Sequence, residues 1–167
     1  MRCHPYQPTN AAGGHLGTWV AARRRLPRRS HFHSDDPLPI RGIINLAGPA
    51  DLESFWLIER QACGEPVVTR LLGGSPIEVP ERYAEASPAK LLPLAVNQVL
   101  ITGEYDRVVP PALAQRYEET ARAKGDDVTT IVVADAAHFE VIAPGSNAWM
   151  TVKTTVASMI EMSRTRQ

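Results

Sequence analysis

Short apolar runs alternate with amphipathic stretches along much of this chain. An apolar run of five to eight residues is typical of a buried strand, and apolar residues spaced three and four apart are typical of a helix. The pattern predicts strands at Ile40–Leu46, Val96–Thr102 and Val128–Ala134, and helices at about Gly14–Leu26, Pro111–Lys124 and Asn147–Ser163. Strands separated by helices predict an α/β fold with a parallel sheet and right-handed crossovers.

The spacing of apolar residues and the helix-ending residues support these helices. Pro110-Pro111 suits a helix start, and Gly125 suits a helix end. In the first helix, the spacing predicts an apolar face of Leu16, Trp19 and Val20. In the last helix, the predicted face consists of Trp149, Val152, Val156, Met159 and Ile160.

The segment from Asp51 to about Lys90 interrupts the alternation. Its apolar residues are broken up by glycines and prolines at 64, 66, 73, 74, 76 and 80, which favours short helices over sheet. We therefore predict an insertion of short helices at residues 51–90.

Composition excludes several classes of protein. Eighteen basic residues balance eighteen acidic ones, so we expect no nucleic-acid partner, and the basic run at 23–29 is explained as a solvated helix end. No window approaches the roughly 18 apolar residues that a membrane span needs, so we expect no membrane partner and a cytoplasmic protein. The two cysteines form no CxxC pair, and the His31–Asp36 loop lacks a distant set of ligands, so we expect no metal site.

An acid and a histidine each follow a predicted strand. Asp106 comes just after Val96–Thr102, and His138 comes just after Val128–Ala134. The carboxyl ends of parallel strands are where functional groups gather in α/β sheets. A catalytic acid–base pair is one interpretation and a structural ion pair is the other. Glu104 is a second candidate acid, and Asp135 is interpreted as a turn residue.

The five residues Thr9-Asn10-Ala11-Ala12-Gly13 match a nucleophile elbow, G-x-S-x-G, at its last position. In that motif the serine sits on a sharp turn between a strand and a helix. Ala11 stands where the serine belongs. His15, four residues later, is interpreted as a packing or capping residue.

Taken together, these motifs resemble the C-terminal half of an α/β-hydrolase. The run Ala-Gly-Gly-His-Leu at 12–16, Ser87-Pro88, and the Gly-Glu-x-Asp-x-Val-Val-Pro loop at 103–110 are most similar to the esterase and arylformamidase branch, which includes kynurenine formamidase-like proteins. The resemblance covers about residues 11–163. It implies a partial α/β-hydrolase fold of three parallel strands with flanking helices, in one truncated domain at 1–167, and a cap at 51–90.

The same resemblance implies roles for individual residues. Asp106 would orient His138, which would act as the general base, and the N–H of Ala12 would form part of the oxyanion hole. The substrate would be a small carboxylic ester or aryl formamide, and neither metal nor cofactor would be required.

Two departures from the family lead to two hypotheses. Ala11 cannot act as a nucleophile, and only ten residues precede it where the family has half a domain. Either the chain is a hydrolase by ancestry in a truncated or misread form, or it is a noncatalytic binding or interaction module. On both hypotheses we expect the chain as written to be inactive. An open outer edge on the strand at 40–46 would favour homo-oligomers.

Overall fold

The computed structural model describes residues 10–165, which form a three-layer α/β arrangement. The helices are α1 Asn10–Ala22, α2 Leu52–Trp56, α3 Glu59–Cys63, α4 Val67–Leu72, α5 Pro80–Ala86, α6 Pro111–Ala123 and α7 Asn147–Thr165. The strands are β1 Gly42–Leu46, β2 Asn97–Gly103 and β3 Val128–Val133. Short 3₁₀ turns occupy Arg23–Arg25, Pro88–Lys90 and Glu140–Ile142.

The three strands form one parallel sheet in the order β1-β2-β3. This confirms the predicted fold class. Leu46 at the end of β1 lies opposite Ile101, and Gly103 at the end of β2 lies opposite Val133 at the end of β3. The loops after β2 and β3 therefore start side by side at the carboxyl edge of the sheet.

β1 and β2 begin later than the apolar runs predict, whereas β3 begins at Val128 as predicted. β1 starts at Gly42 and not at Ile40, because Gly42 lies opposite Asn97, where β2 starts. Among the described residues, those at 10–41 pair with no strand of the sheet. Within residues 10–165, β1 pairs only with β2, so its other edge has no partner strand in the part of the chain that the structure describes.

The predicted apolar face of α1 is wrong for two of its three residues, and only Trp19 packs against the core. Leu16 is 55% exposed and Val20 is 39% exposed, whereas His15, Thr18, Ala21 and Ala22 are buried. Small residues explain this difference, because they let α1 approach the chain after β1 closely. A Cβ on Gly14 would lie only 3.0 Å from the Cα of Gly48.

The buried face of α1 carries hydrogen bonds. The Thr18 hydroxyl donates to the Gly14 carbonyl at 2.8 Å and accepts from the Asn45 amide at 3.0 Å. The Asn45 side-chain oxygen accepts from the Gly48 N–H at 2.6 Å. These bonds fix the start of α1 beside the carboxyl end of β1, since Asn45 is in that strand and Gly48 follows it.

The predicted face of α7 is only partly covered. Val152 is buried, but Val156 and Ile160 are 40% and 50% exposed. Beside them a groove runs along the start of β1, lined in part by Gly42, Ile44 and Met159. The groove lies at the amino ends of β1 and β2. Asp106 and His138 lie at the opposite, carboxyl edge of the sheet.

Residues 51–90 fold as the short helices that the glycines and prolines predict. Their apolar side chains, together with Val109 from the loop after β2, form the cap cluster, which contains Leu52, Phe55, Cys63, Val68, Leu72, Tyr83 and Val109. Glu59, only 2% exposed, joins two of these helices. Its side-chain oxygens accept from the Val68 N–H at 2.6 Å and from the Thr69 hydroxyl at 2.7 Å, so one buried acidic side chain organises this segment.

Candidate active site

Asp106 lies in the loop after β2, and the backbone of that loop fixes its carboxylate. One oxygen, Oδ1, accepts from the N–H groups of Val108 and Val109, both at 2.8 Å. The other oxygen, Oδ2, lies 2.7 Å from Nδ1 of His138. Because Asp106 is only 4% exposed, its carboxylate is committed to these three donors and not to water.

His138 lies in the loop after β3 and is also 4% exposed. A carboxylate can only accept, so Nδ1 of His138 carries a hydrogen and donates it to Asp106. In the neutral ring this tautomer leaves Nε2 as the basic nitrogen. The ring also packs edge-on against Phe139, with 5.0 Å between the ring centres. The pair therefore has the geometry of a base whose orientation is set by an acid.

Three consecutive residues of the acid loop hold the histidine loop. The Glu104 carboxylate accepts from the Asp135 N–H at 3.1 Å, and the Tyr105 N–H donates to the Ala136 carbonyl at 2.8 Å. The third contact is the bond between Asp106 and His138. We call this set the loop clasp. It joins the two loops through neighbouring positions, so the acid and the histidine are positioned by backbone as well as side-chain contacts.

Gly103 makes the loop clasp sterically feasible. A Cβ at this position would lie 2.6 Å from the Ala137 carbonyl oxygen and would also overlap the backbone of Ala136. Only glycine lets the end of β2 and the histidine loop approach this closely. This role of Gly103 was not predicted from the sequence, although a glycine that ends an apolar run just before an acid was a visible signal.

Ala11 lies in the first turn of α1, at the same edge of the sheet. Its partly buried methyl group packs against the cap cluster, as do Val108 and Val109, the residues whose N–H groups hold Asp106. Ala12 follows with an exposed side chain. Thr9, the first residue of the predicted elbow, lies outside the described residues. The structure thus brings Ala11, the acid and the histidine to one edge.

The competing candidates have other roles. His15 is buried, and its Nδ1 donates to the Pro49 carbonyl at 3.0 Å, so it is a packing residue, as expected. Burial lowers the pKa of His15, and the bond to Pro49 opposes that effect only in part. Glu104 belongs to the loop clasp, where its carboxylate accepts from the Asp135 N–H. Asp135 has a φ of 55°, which agrees with its interpretation as a turn residue.

Within residues 10–165, no group of three or more histidine, cysteine or carboxylate side chains is arranged to hold a metal ion. None of the helices that the structure describes combines the length and apolar character needed to cross a bilayer.

Comparison with solved structures supports the α/β-hydrolase fold. A bifunctional GH43-CE protein of Bacteroides eggerthii matches 90% of this chain with a TM-score of 0.63 and 19% identity, over 22% of its own length. Esterase 2 of Thermogutta terrifontis, solved after reaction with tabun, matches 91% with a TM-score of 0.60 and 17% identity, over 52% of its length. The Pyrococcus horikoshii acylaminoacyl peptidase matches 83% with a TM-score of 0.58 and 16% identity, over 20% of its length.

The chain therefore spans about half or less of each of these proteins. Their low identity makes the likeness one of fold, a partial α/β-hydrolase sheet with its flanking helices. No curated protein matches the sequence. The family model BD-FAE matches residues 9–120, which include Ala11, the cap cluster and Asp106. Since that match covers more than half of the sequence, the chain belongs to the BD-FAE family.

Proposed function

We propose that this chain carries the acid and base of a serine-hydrolase site of the esterase or arylformamidase type, with Ala11 at the nucleophile position. The observation that carries the proposal is the buried 2.7 Å bond between Asp106 and His138 at the carboxyl edge of a parallel sheet. The order of Ala11, Asp106 and His138 along the chain is the order of nucleophile, acid and base in α/β-hydrolases. The substrate would be a small carboxylic ester or aryl formamide.

Each residue then has a defined role. His138 takes a proton at Nε2 from the attacking group, and Asp106 stabilises the resulting imidazolium through Nδ1. The N–H of Ala12 would donate to the oxyanion. Residues 51–90 would form the cap over the substrate, since the cap cluster packs against Ala11. No step requires a metal or an organic cofactor.

Ala11 determines what the chain can do as it stands. A methyl group has neither a proton to transfer nor a lone pair to attack with, so no acyl-enzyme can form through this position. Loss of the nucleophile from such a triad lowers turnover by about a millionfold. We therefore expect the chain to hydrolyse esters at the background rate.

Restoring the hydroxyl tests this proposal. We expect Ala11→Ser to hydrolyse p-nitrophenyl acetate faster than the parent chain and to gain a covalent adduct with a fluorophosphonate probe, measured by intact mass. Both gains should vanish in the double variant Ala11→Ser/His138→Ala. Ala112→Ser, at an exposed position of α6, controls for an added serine elsewhere. Equal rates in Ala11→Ser and the double variant would refute the proposal.

A noncatalytic binding or interaction module is the second candidate, and Ala11 itself favours it. On this hypothesis the walls of the site persist without the chemistry, and Ala11→Ser restores no activity. The chain should then be stabilised against heat by a carboxylic acid, ester or amide that fills the site, without turnover. Differential scanning fluorimetry over a panel of small aryl esters, aryl formamides and their acid products would measure this. The absence of stabilisation by every member would remove the second candidate.

A further inference from the structure

The loop that carries His138 is fastened just before and just after the histidine. On the amino-terminal side of His138, the N–H of Ala137 donates to the carboxylate of Glu140 at 3.1 Å. On the carboxyl-terminal side, the carbonyl of Glu140 accepts from the Ser146 hydroxyl at 2.6 Å. One residue, Glu140, therefore takes part in both contacts, through its side chain and through its backbone.

The side-chain contact acts on the residue that precedes the histidine. The backbone of Ala137 sets the direction in which the Cα–Cβ bond of His138 leaves the chain. The Ala137 N–H can only donate, and its hydrogen bond to the Glu140 side-chain oxygen holds this part of the backbone in one orientation. Both partners are partly buried, which limits competition from water.

Glu104 is the other carboxylate that contacts the histidine loop, but it is placed less well for this task. It is exposed, and it accepts from Asp135, three residues before the histidine. Glu140 contacts the adjacent residue and also starts the 3₁₀ turn Glu140–Ile142 that follows the histidine. This comparison selects Glu140.

We propose that Glu140 is a positioning residue for His138: its carboxylate holds the Ala137 N–H and thereby keeps Nδ1 of His138 aligned with Asp106. The inference rests on the proposed function, because alignment matters only where His138 acts as a base. Glu140 would act on His138 through the backbone of Ala137, the residue before the histidine.

NMR of the imidazole Nδ1–H tests the proposal in the unaltered Ala11 background. A histidine N–H bonded to a buried carboxylate gives a resonance far downfield that exchanges slowly with solvent. We expect this resonance in the parent chain, in Glu140→Gln, whose amide oxygen still accepts, and in Glu119→Ala, an exposed α6 control. In Glu140→Ala it should broaden or exchange faster. Unchanged exchange in Glu140→Ala, or no such resonance in the parent chain, would overturn the proposal.

A second variant covers the case in which Glu140→Ala fails to fold. Glu140→Asp keeps the carboxyl group but shortens the side chain by one methylene, so we expect it to lose the bond to the Ala137 N–H and to behave like Glu140→Ala. Parent-like exchange in Glu140→Asp, confirmed to be folded by cooperative thermal unfolding, would also overturn the proposal.

Activity supplies a separate test. In the Ala11→Ser background, Glu140→Ala should lower kcat about tenfold or more, because small misplacements of a catalytic group are costly. Glu140→Gln should recover most of that loss. If Ala11→Ser is inert, the proposed function fails, while the NMR result on Glu140 still stands on its own. A kcat unchanged by Glu140→Ala would refute the positioning role and leave the proposed function intact.

Discussion

The close approach at Gly103 makes a quantitative prediction for Gly103→Ala. The new Cβ would lie 2.6 Å from the Ala137 carbonyl oxygen, about 0.8 Å inside the 3.4 Å at which ordinary contact begins. The obstacle is backbone and not a flexible side chain, so the histidine loop itself must move. A shift of that size would stretch the 2.8 Å bond from Tyr105 to Ala136 beyond bonding distance. Overpacking and one lost hydrogen bond together predict a destabilisation of about 2–4 kcal/mol.

Thermal or urea unfolding of Gly103→Ala measures this loss. For a domain of this size, it corresponds to a fall in Tm of roughly 5–15 °C. Gly17→Ala is the matched control, because a Cβ at Gly17 in α1 meets nothing within 4 Å. That control should be neutral or more stable by up to about 1 kcal/mol, since alanine is the better helix former. If Gly103→Ala were as stable as the parent chain, the close approach would not be a constraint.

Three further predictions concern pH, the cap and the open edge. Burial lowers the pKa of His15 from its usual 6.5, so the unfolded chain takes up a proton at this residue more readily than the folded chain. The free energy of unfolding should therefore be fully retained above pH 6.5 and should fall as the pH drops below 6.5. His15→Asn should flatten the dependence of unfolding free energy on pH between about 7.5 and 5.5, and an unchanged slope would contradict this. Glu59→Ala leaves the donors of α4 unpaired and should cost about 3 kcal/mol in urea unfolding, whereas Glu65→Ala, at an exposed ion pair, should cost less than about 1 kcal/mol. Comparable losses of stability in Glu59→Ala and Glu65→Ala would refute the role of Glu59 in organising residues 51–90. Within residues 10–165 the outer edge of β1 has no partner strand, which predicts concentration-dependent self-association, and a monomer at all concentrations in light scattering would rule it out.

The fold class could be predicted because burial in a parallel sheet leaves a strong pattern in the sequence. β2 and β3 are apolar runs bounded by turn residues, and α6 has proline at its start and glycine after its end. The face of α1 could not be predicted, because its buried residues are small or polar. Apolar spacing carries no information where Gly14 and Thr18 are the residues in contact.

The candidate site was predictable in its side chains and not in its backbone contacts. Asp106 and His138 each follow a strand, and parallel strands bring such positions together. The contacts of Tyr105 and Ala137 use main-chain groups, which every residue carries, so no residue type marks them. Glu140 was missed because its partner is a backbone N–H.

The loop clasp has a consequence for how this site can change over evolution. Its three contacts join the ends of β2 and β3 and involve no part of α1, so the acid and the histidine also contribute to holding the sheet edge together. On the proposed function, selection for a stable protein alone would retain both residues even with alanine at the nucleophile position. On the proposed function, an aspartate–histidine couple alone would not identify a working hydrolase in this family, and the residue at position 11, at the start of α1, would.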